Sequence, residues 1–223
     1  MSLVCTDWPT GARSASTVLA VAIVWCPLGS RTIDSVLALA EGSWARDGID
    51  ETWRAAGWLQ PGRPGPAKLV FDEMTYVLDA GERPATIGME FDPDRITSIA
   101  LSFATFHDAT DPADPDVADL VDSVYSAHWQ ADPGADRRRF DALWRIGYRE
   151  LEARLDAPEA AGYHDEQWQY GVWRVDDTLI TVYQGEDFES YSTMDSASVG
   201  LLRFPRTEKV PDGKWLYELM CGV

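Results

Sequence analysis

Apolar positions change their spacing several times along this chain, and each change marks an element. Ile33, Val36, Leu37 and Ala40 recur at helical intervals, which predicts a helix over 32–41 with Thr32 as its N-cap. Ile49, Trp53 and Ala56 line one face of a second, shorter helix. Asp47 stands at its start, Asp50 and Glu51 suit the positive end of its dipole, and Gly57 supplies the stop. The run PGRPGP at 61–66 follows as a rigid connector. From there the period shortens. Residues 67–71, 75–78, 86–91 and 96–103 are rich in strand formers and broken by acidic turns, so they predict an antiparallel meander.

Helical spacing returns after the polar connector DATDPADPD at 108–116. Val117, Leu120, Val121, Val124 and His128 share a face and predict a helix over 117–129, broken at 132–136. Phe140, Leu143, Trp144, Gly147, Tyr148 and Leu151 form the stripe of a longer helix over 137–155, with Gly162 after an AAG stop. The last third reads as strand. Residues 169–175 and 178–184 flank Asp176 and Asp177 as a hairpin, 199–204 alternates weakly, and 215–220 fits a short strand or a helical turn.

Hairpin-linked strands with helices grouped between them predict an α+β fold, a mostly antiparallel sheet with segregated helices, in a single domain over 31–223. Its two halves meet near 107–116. Residues 1–30 differ in character and read as an N-terminal extension. The apolar run TVLAVAIVWCPL at 17–28 is too short to span a bilayer and lacks the basic flank and small residues of a signal peptide. It reads as a buried strand or as part of that extension.

At 223 residues the chain can bury roughly 70% of its unfolded surface, so a core needs no disulfide or metal. Ten Trp residues are expected mostly in that core, each indole N–H finding an acceptor. Cys5, Cys26 and Cys221 are far apart and include no CxxC, which argues against a disulfide framework and fits a reducing cytoplasm. Charge changes the picture most. Against 19 Lys and Arg stand 37 Asp and Glu, a formal charge of −18. Such a surface repels nucleic acid and anionic membranes and draws in basic proteins, beyond its plain benefit to solubility.

No P-loop, GxGxxG, GxSxG or HExxH occurs, and no cofactor is implied. His107, His128 and His164 lie outside metal-ligand spacing of one another and of any Cys, so no metal site is expected. His107 and His164 stand beside carboxylates and read as surface residues at turns, and His128 as a core or boundary residue. Arg137, Arg138 and Arg139 oppose the dipole of the helix they open and read as a solvated face pairing with Asp132 and Asp136. The segment QGEDFESYSTMDSAS at 184–198 combines Glu186, Asp187, Glu189 and Asp195 with Phe188, Tyr191 and Met194 and holds no basic residue. Aromatics provide buried anchors, and carboxylates provide charge-assisted bonds to Arg or Lys. Three readings stand: a strand with one wet face, a cation site without EF-hand spacing, and a protein-binding edge formed by Glu186, Asp187, Phe188, Glu189, Tyr191 and Asp195.

The stretches WARDGIDETWRAAGW at 44–58 and VWRVDDTLITVYQGEDFESYS at 172–192 carry a resemblance. With high Trp, low Lys and an acidic strand–loop–strand, the chain resembles the small acidic immunity-type proteins that actinobacteria encode beside secreted toxins. That resemblance implies a cytoplasmic, non-enzymatic antitoxin that blocks the active site of a basic toxin domain. Two other classes remain open: a small hydrolase or transferase using Glu186 or Glu189 with His164, and a secretion chaperone.

Overall fold

The computed structural model describes residues 23–89, 94–107, 128–132, 135–164, 168–186 and 194–221. Five helices occur among them. α1 (Ser30–Glu41) buries Ile33, Val36 and Ala40 of the expected stripe, with Leu39 fully buried in place of Leu37, which is half-buried. α2 (Ile49–Ala55) carries Asp50 and Glu51 in its first turn. Gly57, at φ +78°, takes the left-handed conformation that ends it. α3 (Pro66–Phe71) follows the connector. α4 (Arg137–Leu155) buries Phe140, Leu143, Trp144, Gly147 and Leu151. α5 (Gly213–Cys221) closes the chain.

Nine strands form one sheet, every pairing antiparallel: β1 (Ile23–Trp25), β2 (Val77–Asp79), β3 (Pro84–Gly88), β4 (Ser98–His107), β5 (Gln130–Asp132), β6 (Ala160–His164), β7 (Trp168–Val175), β8 (Thr178–Glu186) and β9 (Met194–Arg203). The order is β2-β3-β4-β9-β8-β7-β6. β4 is long enough to serve two neighbours on one side: β3 pairs with Ser98–Ala100 and β1 with Ala104–Phe106. The architecture is the expected α+β. Alternation along β7, β8 and β9 separates two cores. Trp173, Ile180, Val182, Val199 and Leu201 join the core shared with α1 and α4. Trp168, Tyr170, Val172, Leu179 and Leu202 point the other way, to Leu216 of α5.

Several expectations need correction. Residues 67–71 are helix, not strand. Pro66 presets the first helical φ, and the Asp50 carboxylate of α2 accepts the Ala67 N–H at 2.8 Å, a long-range cap that β-propensity cannot report. Gly65 leaves the room, since a Cβ there would lie 2.4 Å from that carboxylate. Gly29, not Thr32, holds the N-cap position of α1. Gly162 does not follow a helix stop but sits inside β6, which exists because β7 pairs with it. The end helix resolves 215–220 as helical. Ile23–Trp25 is buried in the sheet between β4 and β5, so the folded body begins upstream of the boundary drawn at 31. The helix expected over 117–129 lies outside the described residues except for His128 and Trp129. His128 is exposed rather than core, while Trp129 is buried and donates to the Glu82 carbonyl at 3.0 Å.

Candidate functional site

The 184–198 segment is rooted in the sheet's longest hairpin. β8 and β9 stay in register from Thr178↔Arg203 to Glu186↔Asp195, and Asp195 also stands opposite Phe106 of β4. Of the six candidate residues, Asp187, Phe188, Glu189 and Tyr191 lie outside the described residues. Glu186 and Asp195 are the last ladder pair before that connection.

The root is fixed by α4. Arg137 donates to the Asp195 carboxylate and, at 3.2 Å, to Asp141. Asp141 in turn accepts from the Gln184 side-chain amide at 2.6 Å. The guanidinium lies over Phe140 (5.4 Å) and Phe106 (6.0 Å), two rings stacked 5.6 Å apart. The chain Gln184–Asp141–Arg137–Asp195 thus joins α4 to β8 and β9. Asp195 keeps only 15% of its side chain exposed, so its carboxylate serves the scaffold. The Arg triplet does more than form a solvated face. Asp136 caps α4 by accepting the Arg139 N–H at 3.0 Å, and Arg139 stacks over Trp25 at 5.3 Å.

The histidines are placed apart. His164, at the end of β6, packs on Tyr217 of α5 at 4.7 Å, and β7 lies between its strand and β8. His107, expected at the surface, is 2% exposed, and among the described residues neither ring nitrogen finds a hydrogen-bond partner. Sequence adjacency to Asp108 gave no signal of this. Among the described residues no group of three or more His, Cys, Asp or Glu side chains is placed to hold a metal ion. Among them, too, no helix is long and apolar enough to cross a membrane.

A concavity of about 420 Å³ lies between α4 and the sheet edge at β6, lined by Trp144, Tyr148, Tyr163 and Tyr170 together with Arg145 and Arg149. Burial, with Glu152 nearby, raises the Tyr148 hydroxyl pKa above its ordinary value.

The opposite edge, at β2, holds the surface that sequence reading passed over. Residues 72–79, DEMTYVLD, repeat the composition that singled out 184–198: carboxylates, a Met and a Tyr, no cation. Met74, Tyr76 and Val77 are 71%, 45% and 55% exposed, three of the large apolar side chains that the described surface leaves in water. The signal was present in the composition but was spent on assigning a strand. No protein-family model matches the chain, and neither a curated protein nor a solved structure matches it.

Proposed function

We propose that this chain is a non-enzymatic acidic binding protein of the immunity type, which neutralises a basic toxin domain by covering its active site. The observation that carries this reading is the charge. Carboxylates outnumber cations 37 to 19. Many of those cations are drawn into local pairs, among them Arg46 with Asp72 and Asp94, Arg154 with Asp34, Arg206 with Asp176 and Lys214 with Glu218. The field felt at a distance is therefore that of surplus carboxylate. Enzymes that cleave nucleic acids or nucleotides hold cationic sites for phosphate, and an acidic protein imitates that substrate. In this reading Glu186, Asp187, Phe188, Glu189 and Tyr191 border the contact, while Asp195, held by Arg137, anchors the β8–β9 ladder from which they follow.

The test is binding to the protein encoded by the open reading frame beside the chain's own gene. Association is expected to slow as NaCl rises from 20 to 300 mM while dissociation changes less. Reversing Glu186, Asp187 and Glu189 to Lys is expected to slow association at least tenfold with the fold intact. Salt-independent association, or full protection of the toxin by the triple variant, contradicts the reading.

A further inference from the structure

The β2 edge has the parts of a strand-docking groove. Among the described residues β2 is the last strand on its side of the sheet. Tyr76 accepts the Ile87 N–H at 2.7 Å and Ala80 donates to Arg83 at 3.0 Å, so every second residue of this segment faces β3. By that alternation the N–H and C=O of Val77 and the N–H of Asp79 face the open side. The open stretch is bounded at both ends: the Leu69 carbonyl of α3 accepts the Thr75 N–H at 2.9 Å, and the Trp53 indole of α2 donates to the Asp79 carbonyl at 3.3 Å.

Beside the strand runs a mainly apolar cleft of about 270 Å³ between α2, α3 and β2, lined by Trp53, Trp58, Leu69 and Leu78 together with Arg63 and Asp79. It lies on the face that receives Leu78, whereas Val77 and Asp79 occupy the other face. Natural sheets blunt their edges with Lys, Pro or a covering element. Here the approach is instead 72–79, with Met74 held at φ +52°, a conformation that costs a non-glycine residue energy. Along this approach Asp72 and Asp94 share Arg46, Glu73 pairs with Lys68, and Asp79 and Arg63 line the cleft, four carboxylates against three cations.

We propose that this edge docks an extended segment of a basic protein, added as a tenth strand beside β2. In that arrangement the segment exchanges backbone hydrogen bonds with Val77. It sends one apolar side chain into the Trp53–Trp58–Leu69 cleft and presents flanking Lys or Arg to Asp79 and its acidic neighbours. Alternation supplies both contacts at once: the residue opposite Leu78 points into the cleft, and its neighbours point to the carboxylate face. The inference rests on the acidic-binding reading and names a surface for it that is separate from the β8–β9 hairpin.

The experiment uses the full ¹⁵N-labelled chain and a blocked peptide, Lys-Val-Lys-Leu-Lys-Val-Lys, with a control in which Gln replaces every Lys. At low salt the Lys peptide is expected to shift the Val77 and Asp79 amides, slow their solvent exchange and perturb the Trp53 and Trp58 indoles. Val77→Pro removes the outward N–H without touching the ladder to β3 and is expected to weaken binding at least tenfold. Should that variant disturb the fold, Val77→Lys tests the same edge by charge with the backbone kept, and the same loss is expected. Binding of the Lys peptide at β6 or the β8–β9 end, with β2 unmoved, overturns the docking edge and leaves the acidic-binding reading standing. No shift anywhere, or equal shifts with the Gln peptide, overturns both.

Discussion

Arg203 shows how much a single cation does inside an acidic protein. It ends β9, donates to the Thr178 hydroxyl at 2.7 Å and to the Gly42 carbonyl just past α1, and lies 4.1 Å over the Trp44 ring. Those bonds reach the negative end of the α1 dipole. Burial, and then Arg95, lower its pKa, yet the guanidinium stays charged because its ordinary value is so high. Arg203→Lys is expected to cost about 1.5–3 kcal/mol in chemical denaturation, because a lone ammonium replaces neither the fork of bonds nor the stack. His107 poses the reverse case. A buried ring with two unpartnered nitrogens costs about 1–3 kcal/mol of desolvation, so His107→Leu is expected to be neutral or to raise the unfolding midpoint. A clear loss of stability would mean the ring makes a bond after all. Cys26 is buried, and desolvation raises its thiol pKa despite the opposing effect of Arg83, whose side chain donates to its sulfur at 3.3 Å. The native thiol therefore holds its proton more tightly than the unfolded one. Its contribution to stability is intact below the ordinary thiol range and shrinks as pH climbs above it. Peptide mapping after iodoacetamide treatment at pH 8 is expected to find Cys26 unmodified until the protein unfolds. None of these three roles was legible in the sequence, because each depends on which distant backbone the side chain meets.

Elements were legible where local pattern and tertiary packing agree. α4 runs over the predicted 137–155 because its apolar stripe is long and Asp136 caps it. The β7–β8 hairpin turns at Asp176 and Asp177 as expected, Asp176 taking φ +52°, which Asp tolerates better than most residues. They were illegible where a distant partner decides. α3 depends on Asp50, and β6, whose AAGYH carries no β-branched residue, depends on β7. The candidate site divides the same way. The acidic–aromatic composition of 184–198 was plain, but the use of Asp195 by Arg137 was not, and the equivalent composition at 72–79 was read only as a turn and a strand. Gly147 offers a test at this scale. Ala in place of Gly favours an exposed helix by about 1 kcal/mol. In α4, however, a Cβ would lie 2.9 Å from the Phe103 ring and 3.0 Å from Leu28. Overpacking of that kind costs about 1–3 kcal/mol, so Gly147→Ala is expected to destabilise on balance. A stabilised variant would show that the helix can shift away from β4 without loss.

At the scale of the whole molecule, two electrostatic effects oppose each other. The formal charge of −18 repels itself across the fold, while ion pairs such as Arg46–Asp72 at 3.0 Å and Lys214–Glu218 at 3.2 Å attract at contact. Both pairs are well exposed, and such pairs contribute about 0–1 kcal/mol each. Salt separates the effects by distance. Between 10 and 150 mM NaCl the screening length falls from about 30 to about 8 Å. Repulsion between carboxylates on different elements acts over that range and is cut sharply, whereas a pair in contact near 3 Å is screened far less. The repulsive sum should therefore lose more than the attractive one, and the free protein is expected to gain stability as salt is added, with the unfolding midpoint rising through this interval. Replacing NaCl with KCl should give the same rise, since screening depends on ionic strength and not on a bound ion. A midpoint that falls with salt would show that the local pairs outweigh the net charge. The long-range field would then be weaker than its formal value, and with it the attraction for a basic partner.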